Sequence, residues 1–329
     1  MQNKSTFKPM TKRVFPIIIV SIFLISSIIV SGQVTEAEKT LRAQNADTTQ
    51  GWKTGGVIGF NFAQTSLTNW AAGGENSLAI NGMFSGFANY KKGKSVWDNS
   101  IDIGYGLVKQ GSEDFKKTDD KIDFLSKYGQ EAFKNFYYAA LFNFKTQMTT
   151  GYNYNTDGTR TKISDAFAPA YITLALGMDF KPNAYLSAFI APLTAKFTIV
   201  SDTDLSNAGA FGVDPGETVK SEIGGYIRAI YSKNDFKAEL LKNVSFTTKI
   251  DLFSNYIDNP QNIDVNWEVL LAFKVNKYLN VNFNTQLIYD DNIMILNDRN
   301  GNGTVEAGEG SKSLVQFKEI FGVGFSYKF

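Results

Sequence analysis

A chain of 329 residues with 33 Lys and Arg against 32 Asp and Glu has a net charge of +1, so no basic surplus points to nucleic acid. It contains neither cysteine nor histidine, which removes disulfides, thiol chemistry, a lipid-modified cysteine anchor, imidazole-activated nucleophiles and the usual zinc sites. Hydrophobic residues make up 43% and aromatics 14% of the chain, yet mean hydropathy is -0.17; a bundle of apolar membrane helices is excluded, and the apolar surface must be spread along alternating positions.

The chain opens with Lys4, Lys8, Lys12 and Arg13, then an apolar run from Ile17 to Val30, then Ser31 and Gly32. A basic segment, a short apolar run and small residues form the pattern of a secretory signal peptide, predicted over 1–32 with cleavage before Gln33. The run is shorter than the ~20 apolar residues of a spanning helix, which argues against a retained anchor. Loss of the leader turns the net charge slightly negative. Residues 33–51 are polar and lack aromatics apart from the approach to Trp52, so a disordered lead-in is expected there, followed by one β-rich domain over 52–329.

From Trp52 onward the dominant period is two, the signature of side chains facing opposite sides of a sheet. Strands are predicted over 57–63, 78–90, 97–107, 121–128, 136–145, 172–180, 185–199, 223–231 and 244–252. Alternation is cleanest near the C-terminus. Val265, Trp267, Val269, Leu271, Phe273 and Val275 alternate with Asp264, Asn266, Glu268 and Lys274. Leu279, Val281, Phe283, Leu287 and Tyr289 then oppose Asn280, Asn282, Asn284, Gln286 and Asp290. The last strand sets Val315, Phe317, Phe321, Val323, Phe325, Tyr327 and Phe329 against Gln316, Lys318, Gly322, Gly324, Ser326 and Lys328, with Glu319 alone on the apolar side. The count reaches about twelve, an even number suited to a closed antiparallel barrel.

A soluble sandwich or lipocalin also alternates, so the connections must discriminate. Short ones at 91–94, near 129–134, 181–183, 233–235 and 276–277 alternate with long ones at 110–120, 149–168, 201–218 and 292–312. That asymmetry, together with strands long enough for a tilted ~9–11-residue crossing, predicts a transmembrane barrel with short periplasmic turns and long extracellular loops. Trp52, Tyr90, Trp97, Tyr128, Tyr231, Tyr256, Tyr278 and Tyr289 fall near strand ends, where interfacial girdles would sit. Terminal Phe329 suits recognition by the barrel-assembly machinery.

The stretch Gly51-Trp52-Lys53-Thr54-Gly55-Gly56, then Asn61 through Thr65 and Ser66 to Gly74, resembles the opening of a Bacteroidota family of outer-membrane barrels of unknown function (DUF 3078). The ending from Val315 to Glu319 and from Gly322 to Phe329 is similar as well. The resemblance implies a multi-pass protein of the bacterial outer membrane and supplies no substrate.

Three constellations bear on chemistry. Asp298, Asn300, Asn302, Glu306 and Glu309, with Gly303 at the turn, satisfy a calcium-loop template, although strands rather than helices flank it; a bound calcium ion and a plain extracellular turn both remain open, and no other cofactor is implied. Trp70-Ala71-Ala72-Gly73-Gly74 reads either as a glycine turn or as an aromatic wedge at the barrel mouth. Asp102, Glu222, Arg228, Lys249, Asp251, Asp264, Glu268 and Lys274 are expected to face the lumen, where mixed charges either pair and plug the interior or line a weakly selective pore. Two functions follow: a narrow channel for small solutes, or a non-conducting accessory barrel that binds an envelope partner or surface polysaccharide through its long loops. An enzyme is not expected without an imidazole base. The expected partners are outer-membrane lipid and the assembly machinery.

Overall fold

The computed structural model describes residues 50–68, 74–154, 158–183, 185–276, 279–297 and 310–328. The signal peptide, most of the lead-in, Trp70 and the whole candidate calcium loop, Asp298, Asn300, Asn302, Glu306 and Glu309, lie outside the described residues.

Period-two segments become strands β1 (Gly51–Thr65), β2 (Ser77–Lys92), β3 (Ser95–Gln110), β4 (Lys116–Phe133) and β5 (Phe136–Thr146), joined as successive hairpins. A small hairpin of β6 (Gly151–Tyr154) and β7 (Arg160–Ser164) precedes β8 (Ala170–Phe180) and β9 (Leu186–Ile199). After helix α1 (Thr203–Asn207) come β10 (Val219–Lys233), β11 (Val244–Asn255), β12 (Ile263–Lys274) and β13 (Leu279–Tyr289). A second small hairpin, β14 (Met294–Asn297) with β15 (Gly310–Ser313), leads to β16 (Gln316–Lys328). Twelve of these strands form one antiparallel sheet in the order β1-β16-β13-β12-β11-β10-β9-β8-β5-β4-β3-β2. The ring closes through a short seam of β1 and β16, where Ile58 pairs with Tyr327 and Phe60 with Phe325.

Side chains divide by parity. Phe60, Leu176 and Phe321 on the outer face are 64%, 53% and 55% exposed, whereas Lys127, Asp179 and Lys249 on the inner face are 3%, 1% and 3% exposed. A water-soluble protein has the opposite arrangement. Several outward polar groups bond to each other: the Trp97 indole donates to Ser126 Oγ at 2.8 Å, Ser126 donates to Asn99 Oδ1 at 2.8 Å, and the Trp267 indole donates to Thr248 Oγ1 at 2.9 Å. Rings gather at one end, with Trp52 5.1 Å from Tyr90 and 5.8 Å from Trp97 between centroids.

At that end β2 and β3 meet across 93–94, and β4 and β5 across 134–135, where Asn135 takes a φ of 68°. Asparagine tolerates this left-handed backbone at the corner of a tight hairpin. The opposite end carries the connections 147–169 and 200–218, which pack together. Ala168, Val200, Leu205 and Val213 bury against each other, with Phe211 alongside, and Ser201 N donates to Phe167 O at 3.1 Å.

Two connections differ from the sequence reading. The long loop expected at 110–120 shrinks to 111–115, because β3 and β4 continue their ladder to Val108–Lys116 through a bulge at Gly106/Leu107. Its polar residues end the apolar alternation while the backbone bonds persist. Conversely, the short turn expected at 233–235 extends over 234–243 with a single 3-10 turn at Glu239–Leu241, since the β11 ladder begins only at Val244.

Bulges at Leu176/Met178 and Gly224/Tyr226 bring backbones close. A Cβ on Gly177 would lie 2.0 Å from Ile190 O, and one on Gly224 2.0 Å from Ser254 O. Gly177→Ala and Gly224→Ala are each expected to destabilise by about 1–3 kcal/mol or more, the range for overpacking. Gly82→Ala, whose Cβ would meet only a flexible Phe60 ring edge at 3.4 Å, is expected to fold normally. Heat-modifiable migration of refolded protein in detergent gels checks all three.

Candidate functional site

The inner face of the ring carries the concentrated chemistry, arranged in tiers along the axis. Nearest the short turns, Lys127 on β4 meets Asp179 on β8 at 2.6 Å, and Ser187 Oγ donates to the same carboxylate at 2.8 Å. Lys181, just past β8, reaches Asp98 on β3 at 2.6 Å and Asp179 at 3.4 Å. These four charged side chains are at most 7% exposed.

The middle tier holds pairs between neighbouring strands. Arg228 Nη1 lies 3.2 Å from Asp251 Oδ1, which also accepts from the Tyr226 hydroxyl at 2.6 Å. Lys249 meets Glu268 at 2.5 Å. Asp102 and Asp123 face each other in register as like charges, and each is satisfied from its other side. Ser85 donates to Asp102, while Asn143 Nδ2 donates to Asp123 at 2.7 Å and Lys145 lies 3.7 Å away. Beside this tier sits an apolar inner cluster of Leu125, Leu141, Phe189, Tyr226 and Phe253, in which Phe189 is fully buried.

Toward the long loops, Lys196 on β9 gathers three acids: Asp264 at 2.7 Å, Asp290 at 3.4 Å and Glu222 at 3.5 Å. Lys318 on β16 reaches Asp119 on β4 at 3.0 Å. Above them, Lys162 on β7 binds Asp202 at 2.6 Å and Asp204 at 2.9 Å. The Lys162 hydrogen bond and the Leu205 N–H hold the Asp202 carboxyl below the ordinary carboxylate value. Asp202 also accepts from Leu205 N at 3.0 Å, which fixes the start of α1.

Of the residues singled out from the sequence, Arg228 pairs with Asp251 and Lys249 with Glu268, while Glu222 and Asp264 share Lys196. Asp102 sits apart with Ser85, and Lys274 is exposed at the end of β12. The lumen-facing set named from the sequence did not include Asp98, Lys127, Asp179, Lys181, Lys196 and Lys318, although Lys318 was placed on the polar side of the last strand. Lys127 and Asp179 each stand at alternate positions to Phe124 or Leu176 and their neighbours, a signal that a uniform parity count along β4 and β8 detects.

Residues 62–152 match the model of a family described as a protein of unknown function, DUF3078. No curated protein matches the chain. Among solved structures, the translocator domain of the autotransporter NalP from Neisseria meningitidis is similar at 8% identity and a TM-score of 0.41, with 88% of this chain and 93% of that one covered. An outer membrane channel from Pseudomonas putida F1 gives 10% identity and 0.39, covering 86% and 97%. Outer membrane phospholipase A from Escherichia coli gives 10% identity and 0.33, covering 89% and 98%.

Removing one partner from a buried ion pair leaves the other charge uncompensated, at a cost of about 3–5 kcal/mol. Lys196→Met, which takes the cation from Asp264 and Asp290 and leaves Glu222 only Lys220 at 3.6 Å, is expected to lower stability by roughly that amount. Lys127→Met with Asp179→Leu is expected to cost less than either single change. Urea unfolding of the detergent-folded protein measures both.

Proposed function

We propose that this chain is a bacterial outer-membrane β-barrel, embedded in lipid through its apolar outer face, with the 93–94 and 134–135 turns toward the periplasm and the packed long loops outside. Three features support the reading: a closed ring of strands, apolar side chains turned outward, and strand-end aromatics gathered at one rim. Insertion would follow delivery to the barrel-assembly machinery.

Within that setting the role we infer is that of a non-conducting accessory barrel, which binds an envelope partner or surface glycan at the long-loop end. The observation that carries it is the set of ion pairs between strands that are not neighbours in the ring. Lys181 reaches across to Asp98, Lys196 to Asp264, and Lys318 to Asp119. The first stitches the lumen near the short turns and the other two toward the long loops, with the Phe189 cluster between the tiers. The role is non-enzymatic, in keeping with a chain that has neither an imidazole nor a thiol to activate.

A narrow conduit for small neutral solutes is the second reading. It is favoured by the wall formed from β13, β16, β1 and β2, whose inward positions include Asn282, Asn284, Gln286, Gly322, Asn61 and Asn81. Planar-bilayer recording separates the two. Purified folded protein is expected to give no uniform unitary steps, and reproducible steps of one amplitude would overturn the accessory role in favour of the conduit.

A further inference from the structure

At the long-loop end a cavity of about 630 Å³ lies between the rim of β3 and β4, the β6–β7 hairpin and Phe211 of the packed loops. This is within the range of small-molecule sites, which combine apolar walls with a few fixed polar groups. The frame is tightly bonded. Lys117 binds Asp120 at 2.9 Å and donates to Gln147 Oε1 at 3.0 Å and Thr149 O at 2.8 Å, while Ser164 Oγ donates to Gln147 at 2.9 Å. A ligand entering this cavity would therefore meet groups already held in place, which reduces the ordering cost of binding.

One charged group in the lining is left with capacity to bind. The Arg160 guanidinium lies 4.3 Å above the Tyr152 ring and has no carboxylate partner among the described residues. The ring face holds the guanidinium by a cation–π contact, and a guanidinium so placed can take a carboxylate in two parallel hydrogen bonds. Lys117 and Lys318 are each matched by one acid, Asp120 and Asp119, so Arg160 leaves the lining with an excess positive charge. Tyr152 and Tyr154, 6.4 Å apart between centroids, supply aromatic surface for the C–H faces of a polar ring.

We propose that this cavity binds a saccharide bearing a carboxylate, with Arg160 taking the carboxylate and the Tyr152–Tyr154 pair packing against the sugar ring. The assignment rests on the accessory-barrel reading and gives its external ligand a chemical class. An anion without a sugar ring would leave the tyrosines unused, and a neutral sugar would leave the guanidinium unmatched.

The full folded barrel in detergent is tested on an array of carboxylated, sulfated and neutral oligosaccharides, with Arg160→Met, Arg160→Lys and Tyr152→Ala alongside. Carboxylated glycans are expected to be retained in preference to sulfated or neutral ones. Arg160→Met is expected to weaken retention about tenfold or more, the equivalent of one lost charge-assisted contact, and Arg160→Lys by less. Arg160 lies in a hairpin outside the ring, and heat-modifiable migration confirms that each variant has folded. Retention of no glycan, equal retention of neutral and acidic ones, or retention untouched by Arg160→Met in folded protein would overturn the site. Bilayer conductance of the same preparation keeps the two failures apart. A silent barrel that ignores the array loses the site and keeps the accessory role, whereas a conducting one loses that role and this assignment with it.

Discussion

Closing a β-sheet on itself satisfies its edges but forces a choice about its two faces, since every residue must point either into the ring or away from it. In this chain the large apolar side chains point away and the charges point in. Charges inside a ring of this kind have little water to turn to, so they must be met by opposite charges or hydrogen-bond donors from elsewhere on the wall. The positions of Lys127, Lys181, Lys196 and Lys318 follow from that requirement, and each carries a carboxylate within 3.0 Å.

The interior is uneven as a result. Along β4 to β11 it combines ion pairs with a small apolar core around Phe189, so that part of the wall packs as a soluble protein interior does. Along β13, β16, β1 and β2 the inward positions are rich in asparagine, glycine and serine, which form a lighter and mostly neutral lining. Function is therefore sought at the long-loop end, where two connections fold into a compact layer over the rim and leave a cavity lined by tyrosines and an arginine.

Much of the ring was legible in the sequence because its physical requirement is local. A half-apolar strand must alternate, and the segments around Trp267, Phe283 and Phe321 do so in plain view. What was less legible depends on geometry that spacing does not carry. In β9 the inward positions pass from Ser187, Phe189 and Ala191 to Thr194, Lys196 and Thr198, because a bulge inserts one residue. A count that assumes unbroken alternation therefore places Lys196 on the wrong face. Lys181 meets Asp98 across three intervening ladders, a contact that requires the curvature of the closed ring as well as strand order. The long loops read as polar, and their buried Val200, Leu205 and Val213 cluster has no periodic signature.

The absence of native cysteine makes the central claim open to direct test by single-cysteine spin labelling along β12 in lipid vesicles. Labels at Val265, Trp267, Val269 and Leu271 are predicted to relax with oxygen dissolved in the bilayer, whereas labels at Asn266, Leu270 and Ala272 stay shielded from it. Alternation of period two in that phase is the result the account requires. Equal access of a water-soluble nickel reagent to the odd-numbered positions would contradict it.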